Sequence, residues 1–220
     1  MRSFEIVEDK IEEAHFFLSK FETLCIGNIF EARYYFSAFL SAARSITFSL
    51  QASLSDLPGF CDWYSVFQEQ LKSDPLCCFF HLARNESQKV GKNYIVGGKF
   101  DSTRKLVFYF DETIVNVPLE DVSTASNKYL CTLLLGIVEC YQLFGEQIDP
   151  IRYYSESAIH KRNQSIEDIE EEIIGIRGYT KIEGYTDSDR LKLLLKSISM
   201  PSIDYVFNER LGKDRYGNKK

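Results

Sequence analysis

The stretch from His81 to Gly91 holds the most informative combination of side chains in the sequence. Arg84 can bind a phosphate group through two parallel hydrogen bonds, because its guanidinium is planar and always charged. His81 stands one helical turn before Arg84, so a helix places both side chains on one face, where an imidazole can transfer a proton. Lys89 can stabilise negative charge. These residue types could act on a phosphate group, but the residues alone do not assign that chemistry.

The segment that carries these residues is predicted to be the end of a helix. Asp74 is a preferred N-cap, Pro75 suits the first helical position, and Gly91 suits the left-handed position that follows the last turn. The first half of this helix is apolar, so we expect it to pack against other helices.

Apolar residues at steps of three and four predict further helices on both sides of this segment. The apolar stripes run from about Phe4 to Cys25, from Ile29 to Leu54, from Phe60 to Lys72 and from Ser126 to Gly145. Between the helix that ends near Gly91 and the stripe that begins at Ser126, β-branched and aromatic runs over 93–100 and 104–110 predict a β-hairpin. A third short strand is expected over 114–117.

The predicted fold is therefore mainly α: a helical bundle of four to five helices with an inserted β-hairpin, plus a smaller mixed C-terminal part. Asp149–Pro150 marks the boundary between the bundle, residues 1–149 with the hairpin insertion at about 93–117, and a C-terminal helical extension over 150–220. The extension is expected to hold an acidic helix near 165–174, a short helix near 187–198, and a basic tail from Arg210 that frays into solvent.

The composition excludes several classes of protein. The 220 residues are 45% hydrophobic and carry a net charge of -6, which supports a real core and argues against a globally basic nucleic-acid binder. No apolar run approaches the roughly 18 residues of a membrane span, so we expect a cytoplasmic protein without membrane contact. The six cysteines form no CxxC pair and are interpreted as buried free thiols, and no metal or cofactor is predicted.

Within a helical bundle, Arg84–Asn85 near a helix end resembles the motif of the HEPN superfamily. Members are helical bundles, often homodimers, and their motif is an arginine, frequently followed by Asn, Asp or His, with a histidine a few positions further on. The resemblance covers about residues 1–145 in architecture and about six residues in the motif. Lys89 stands in place of the motif histidine, so the chain resembles a degenerate member.

The resemblance implies an RNA-binding protein or a metal-independent ribonuclease of a bacterial defence or toxin-type system. The implied catalytic residues are Arg84, Asn85, Lys89 and His81. Arg84 would bind phosphate, while Lys89 or His81 would replace the missing histidine and take the proton of the ribose 2′-hydroxyl. Neither replacement is well suited to that transfer, so little or no RNA cleavage is expected, and whether the chain is an enzyme stays open.

A structural alternative assigns these residues to packing. In it, Arg84 pairs with a carboxylate of the bundle and Lys89 is solvated. Asn85 and Ser87 bond the backbone at the helix end. Arg44, a rare charge on the second helix, is likewise interpreted as the partner of a carboxylate of the first helix in preference to a second phosphate ligand.

The alternative function is that of a non-catalytic helical-bundle protein that dimerises or binds a protein partner. The small residues from Ser41 to Ser45 on the second helix, together with the exposed end of the fourth helix, are the predicted surfaces of a homodimer.

Overall fold

The computed structural model of the chain describes residues 1–24, 29–102, 106–198 and 203–219. The predicted helix end at Cys25 and the predicted turn and strand positions at 103–105 lie outside this part of the chain. Over the described residues the protein is mainly α-helical with one antiparallel two-stranded hairpin, which confirms the predicted fold class.

The elements follow the apolar stripes closely. They are α1 (Glu5–Glu22), α2 (Ile29–Leu54), α3 (Phe60–Ser73), α4 (Pro75–Val90), β1 (Ile95–Phe100), β2 (Leu106–Phe110), α5 (Val122–Ile148), α6 (Pro150–Tyr153), α7 (Glu156–Lys161), α8 (Ile166–Ile174), α9 (Asp187–Ser197) and α10 (Asp204–Leu211). The bounds of α2 are the predicted ones, whereas α5 begins a turn earlier than its apolar stripe, and α10 was not predicted.

The chain forms two compact units. The bundle unit comprises Phe4–Glu139 and Ile203–Lys220, and the second unit comprises Met1–Ser3 and Cys140–Ser202. This division differs from the predicted boundary at 149/150, because it falls within α5 and places the C-terminal residues with the bundle.

Aromatic side chains join the helices of the bundle unit. Phe80 of α4 stacks on Tyr129 of α5, with ring centroids 4.5 Å apart, and meets Phe39 of α2 edge to face at 6.2 Å. All three rings are buried. Such rings bury large apolar areas and favour these relative orientations, so this contact fixes α4 against α2 and α5.

The hairpin packs on the bundle through one face. Phe108 of β2 contacts Phe21 of α1, and Phe110 contacts Phe79 of α4 with centroids 5.0 Å apart. The predicted third strand is wrong. After Phe110 the chain turns, because Asp111 accepts hydrogen bonds from the backbone N–H and the hydroxyl of Thr113. Short polar side chains that bond the backbone in this way favour turns over strands.

The basic C-terminal segment is not a frayed tail. The helix α10 packs on α1, with Val206 and Phe207 fully buried. Arg210, whose side chain is only 6% exposed, donates hydrogen bonds to Glu22, His15, Ser19 and Asn127. The tail prediction failed because a short helix with so few apolar residues gives no periodic signal.

The second unit has a small core of its own. Its fully or largely buried members are Tyr154, Ile166, Ile169, Leu191 and Leu194. The predicted capping box of α8 is confirmed, since Ser165 and Asp168 bond each other's backbone N–H. The acidic face of α8 is partly internal, because the buried Glu170 pairs with Arg190 of α9 at 3.0 Å.

Within the described ranges, no helix is both long and apolar enough to cross a membrane. The cysteines differ in part from their prediction. Cys77 and Cys140 are buried free thiols, whereas Cys61 and Cys78 are exposed because they lie on the solvent sides of α3 and α4.

Candidate functional site

The helix α4 begins and ends as its capping residues predict. Asp74 accepts hydrogen bonds from the backbone N–H groups of Leu76 and Cys77, and Gly91 takes the left-handed conformation with φ 66°. Residues such as Asp satisfy the free N–H groups of a first turn, and glycine adopts positive φ without steric cost. These two ends fix the register in which His81, Arg84 and Asn85 share the outer face of the last two turns.

Three of the four predicted site residues form a chain of hydrogen bonds. Arg84 Nη1 donates to Asn85 Oδ1 at 3.3 Å, and Asn85 Nδ2 lies 3.0 Å from His81 Nε2. Because the amide oxygen of Asn85 faces Arg84, its NH₂ group faces the imidazole and donates to Nε2. His81 is therefore neutral in this arrangement and carries its proton on Nδ1.

Lys89 does not join this chain. It is exposed and makes no hydrogen bond or ion pair with any described residue. It follows His81 by eight residues, which corresponds to roughly 12 Å along a helix axis. Lys89, which stands where the motif has its histidine, is thus more than two helical turns away from His81.

Arg84 has no carboxylate partner among the residues described. Its Nε is buried and makes no hydrogen bond, and its only hydrogen bond is to Asn85. Ser87 pairs with the hydroxyl of Ser37 at 3.2 Å and does not bond the helix backbone. Of the structural alternative, the Arg84 ion pair and the backbone bonds from Asn85 and Ser87 are therefore wrong for the described residues, whereas the solvated Lys89 is confirmed.

Arg44 also differs from its preferred interpretation. It makes no ion pair with α1 in the described chain. Its Nη1 donates to Thr47 Oγ1 at 3.1 Å, and its guanidinium lies 4.4 Å from the ring centroid of Phe48. A cation over an aromatic ring is stabilised without losing its charge, so Arg44 keeps its ability to bind an anion.

Arg44 and His81 lie at the wall of a cavity of about 260 Å³ in the bundle unit. Residues of α2, α3, α4 and α5 contribute to it. The lining residues are Arg44, Thr47, Tyr64, Gln68, Leu71, Lys72, Cys77, Cys78, His81 and Tyr129. This lining contains cations and neutral polar groups but no carboxylate, so its electrostatic character favours an anion.

The charges of the two arginines affect His81. Partial desolvation, followed by the charges of Arg44 and Arg84, lowers the pKa of His81 below its usual value of about 6.5. At neutral pH the imidazole is therefore uncharged, in agreement with its role as acceptor from Asn85. His81 therefore adds no positive charge to that of Arg44 and Arg84 at neutral pH.

The aromatic residues of the cavity were assigned to the core from the sequence. Tyr64 and Tyr129 are indeed buried, but both also line the cavity, and Gln68 stands one turn after Tyr64 on α3. The spacing of Tyr64, Gln68 and Lys72 shows that they share one face of α3, yet nothing in the sequence indicates that this face borders a cavity.

The predicted dimer surface is used within the chain. Ala42 and Ala43 are buried against neighbouring elements, and Ser41 accepts a hydrogen bond from Gln88 of α4 at 3.0 Å. The small residues thus allow α4 and α1 to approach α2 closely. The other part of the predicted surface, the end of α4, is exposed as expected, and the homodimer itself stays a prediction. No group of three metal-ligating side chains converges in the part of the chain that was described.

No curated protein and no solved structure matches the chain. A match to a family model covers residues 5–112, which hold α1 to α4 and the hairpin together with all four predicted site residues. Over this part of its length, the chain is similar to the family described as bacteriophage lambda protein ea47.

Proposed function

We propose that the protein binds single-stranded RNA through the arginine face, which we define as Arg44, His81, Arg84 and Asn85. The observation that carries this proposal is the state of the two guanidinium groups. The charges of both lower the pKa of His81, and neither has a carboxylate partner among the described residues. A guanidinium with unused donors and no carboxylate partner is suited to a phosphate group.

The terminal groups of Arg84 support the same interpretation. Its Nε is withdrawn from water and has no acceptor in the described chain, so a phosphate would be bound by the Nη groups, of which only Nη1 makes a hydrogen bond. In a chain with a net charge of -6, such a local basic surface is the kind of electrostatic footprint expected of a nucleic-acid site.

The same geometry argues against efficient cleavage. Proton transfer from a ribose hydroxyl needs a free nitrogen lone pair, but Nε2 of His81 already accepts from Asn85. Lys89 is too far along α4 to assist. We therefore infer a degenerate HEPN-like protein that binds RNA and cleaves it poorly, in the cytoplasm. The resemblance also supports a homodimer, in which two arginine faces would bind one RNA strand with higher avidity.

Fluorescence anisotropy with a labelled single-stranded RNA at low salt tests the binding. We expect Arg84→Ala and Arg44→Ala each to weaken binding about tenfold or more, because a hydrogen bond to a charged group contributes about 1.5 kcal/mol. Lys128→Ala is the matched control: it makes the same change of net charge at an exposed cation of α5. It should leave affinity within about twofold.

The outcomes separate the two functions. Robust cleavage of the RNA in EDTA by the unmodified protein would contradict the inference of poor catalysis. Absence of RNA binding by the unmodified protein would remove the proposal, and a non-catalytic protein that binds a protein partner would replace it.

A further inference from the structure

We propose that the cavity beside the arginine face binds one nucleoside phosphate, with the base inside and the phosphate at Arg44 and His81. This inference rests on the proposed function in so far as a bound RNA strand would supply the nucleotide. A free mononucleotide offers the same chemistry, and the experiment below distinguishes the two sources.

The charged end of the cavity is defined by Arg44. Its position over Phe48 and its bond to Thr47 hold the guanidinium in place and leave donors unused. Lys72 also lines the cavity, but its ammonium pairs with Glu69 at 2.6 Å on the exposed side of α3. Arg44 is therefore the principal cation of the cavity, and no carboxylate among the lining residues competes with a bound phosphate.

One lining residue, Tyr129, has a hydroxyl group without a hydrogen-bond partner among the described residues. Tyr129 is 6% exposed, lines the cavity, and makes no hydrogen bond with any described residue. Burial is the main cause that raises the pKa of its phenol, so the group stays protonated and can donate. Its hydroxyl therefore has no competing partner among the described residues and can donate a hydrogen bond to the polar edge of a base.

The remaining walls favour a planar, partly apolar ligand over a bare anion. Tyr64 and Leu71 of α3 supply apolar surface, and Gln68 adds an amide that can read a base edge. A volume of about 260 Å³ lies just below the roughly 300 to 1,000 Å³ found for ligand sites. It fits a single nucleotide unit and excludes a longer segment of strand.

The test measures binding of adenosine, guanosine, cytidine and uridine 5′-monophosphates, with inorganic phosphate for comparison, by isothermal titration calorimetry on the full chain. We expect at least one mononucleotide to bind tenfold or more tightly than phosphate. Leu71→Trp, which fills the cavity, should weaken that binding tenfold or more, and Tyr129→Phe should weaken it severalfold. Val66→Trp places the same tryptophan at an exposed position of α3 outside the lining and should change neither affinity.

A single-stranded RNA and the same RNA with abasic sites form the second arm. If the cavity takes a base from the strand, the abasic RNA binds the unmodified protein more weakly, and Leu71→Trp binds both RNAs equally. If mononucleotides bind and Leu71→Trp abolishes this while RNA does not bind, the cavity proposal stands for a free nucleotide and the RNA proposal fails. If RNA binding depends on Arg84 but neither Leu71→Trp nor Tyr129→Phe alters any affinity, the cavity proposal is overturned and the RNA proposal stands. Binding of neither ligand overturns both.

Discussion

Replacement of Arg210 by alanine should destabilise the bundle unit strongly, although the residue lies near the end of the chain. Its guanidinium makes four hydrogen bonds to side chains, one of which is also the ion pair with Glu22 at 2.9 Å. Removal of one partner of a buried ion pair costs about 3 to 5 kcal/mol, because the other partner stays desolvated. Glu22 keeps 23% exposure and can regain some water, so we expect a loss of about 3 kcal/mol.

Thermal unfolding followed by far-ultraviolet circular dichroism at neutral pH measures this loss. For a chain of this length, 1 kcal/mol corresponds to roughly 2 to 4 °C in Tm, so Arg210→Ala should lower Tm by roughly 6 to 12 °C. Lys128→Ala, which breaks an exposed ion pair with Glu120, is the control and should lower Tm by no more than about 3 °C. If Arg210→Ala unfolds within about 2 °C of the unmodified protein, the assignment of α10 to the bundle core is refuted.

Two further substitutions test the packing. Burial, followed by the charge of Arg210, lowers the pKa of His15, so the folded state binds its proton less readily than the unfolded state. Because the unfolded state takes up this proton near pH 6.5 and the folded state does so only at lower pH, the protein loses stability as pH falls below about 6.5. The urea midpoint should therefore fall less between about pH 7.5 and 5.5 in His15→Gln than in the unmodified protein. Equal falls in the two proteins would contradict the lowered pKa of His15. Gly136→Ala places a methyl carbon 2.3 Å from the ring of Phe67, which is itself stacked on Trp63. Overpacking should therefore outweigh the gain in helix propensity, and the free energy of unfolding measured in urea should fall by about 1 kcal/mol. A gain in stability would show that the ring moves aside freely.

Much of the bundle could be predicted because its signals are local. The ends of α4 follow from Asp74, Pro75 and Gly91, whose backbone preferences act within one turn. The stripe of α2 likewise gave its correct bounds, since one long apolar face needs no knowledge of its partners. Patterns that depend only on neighbouring residues are readable from one sequence.

The partners of charged residues could not be predicted in the same way. The sequence shows that Arg44 is a rare charge on α2, but the ring of Phe48 and the hydroxyl of Thr47 stabilise it, where a carboxylate was expected. Arg210 was expected in a solvated tail, but it is buried and bonds four acceptors of α1 and α5, which lie far away along the chain. Long-range contacts of this kind leave no spacing signal, and the cavity beside α3 went unnoticed for the same reason.

The salt dependence of RNA binding shows whether Arg84 contacts a phosphate of the strand. For single strands, the logarithm of the association constant falls with the logarithm of salt concentration by about 0.7 for each phosphate that the protein neutralises. We predict that Arg84→Ala both weakens binding and reduces this slope by about 0.7, while Lys128→Ala retains the slope of the unmodified protein. Equal slopes for Arg84→Ala and the unmodified protein would contradict a phosphate contact at the arginine face.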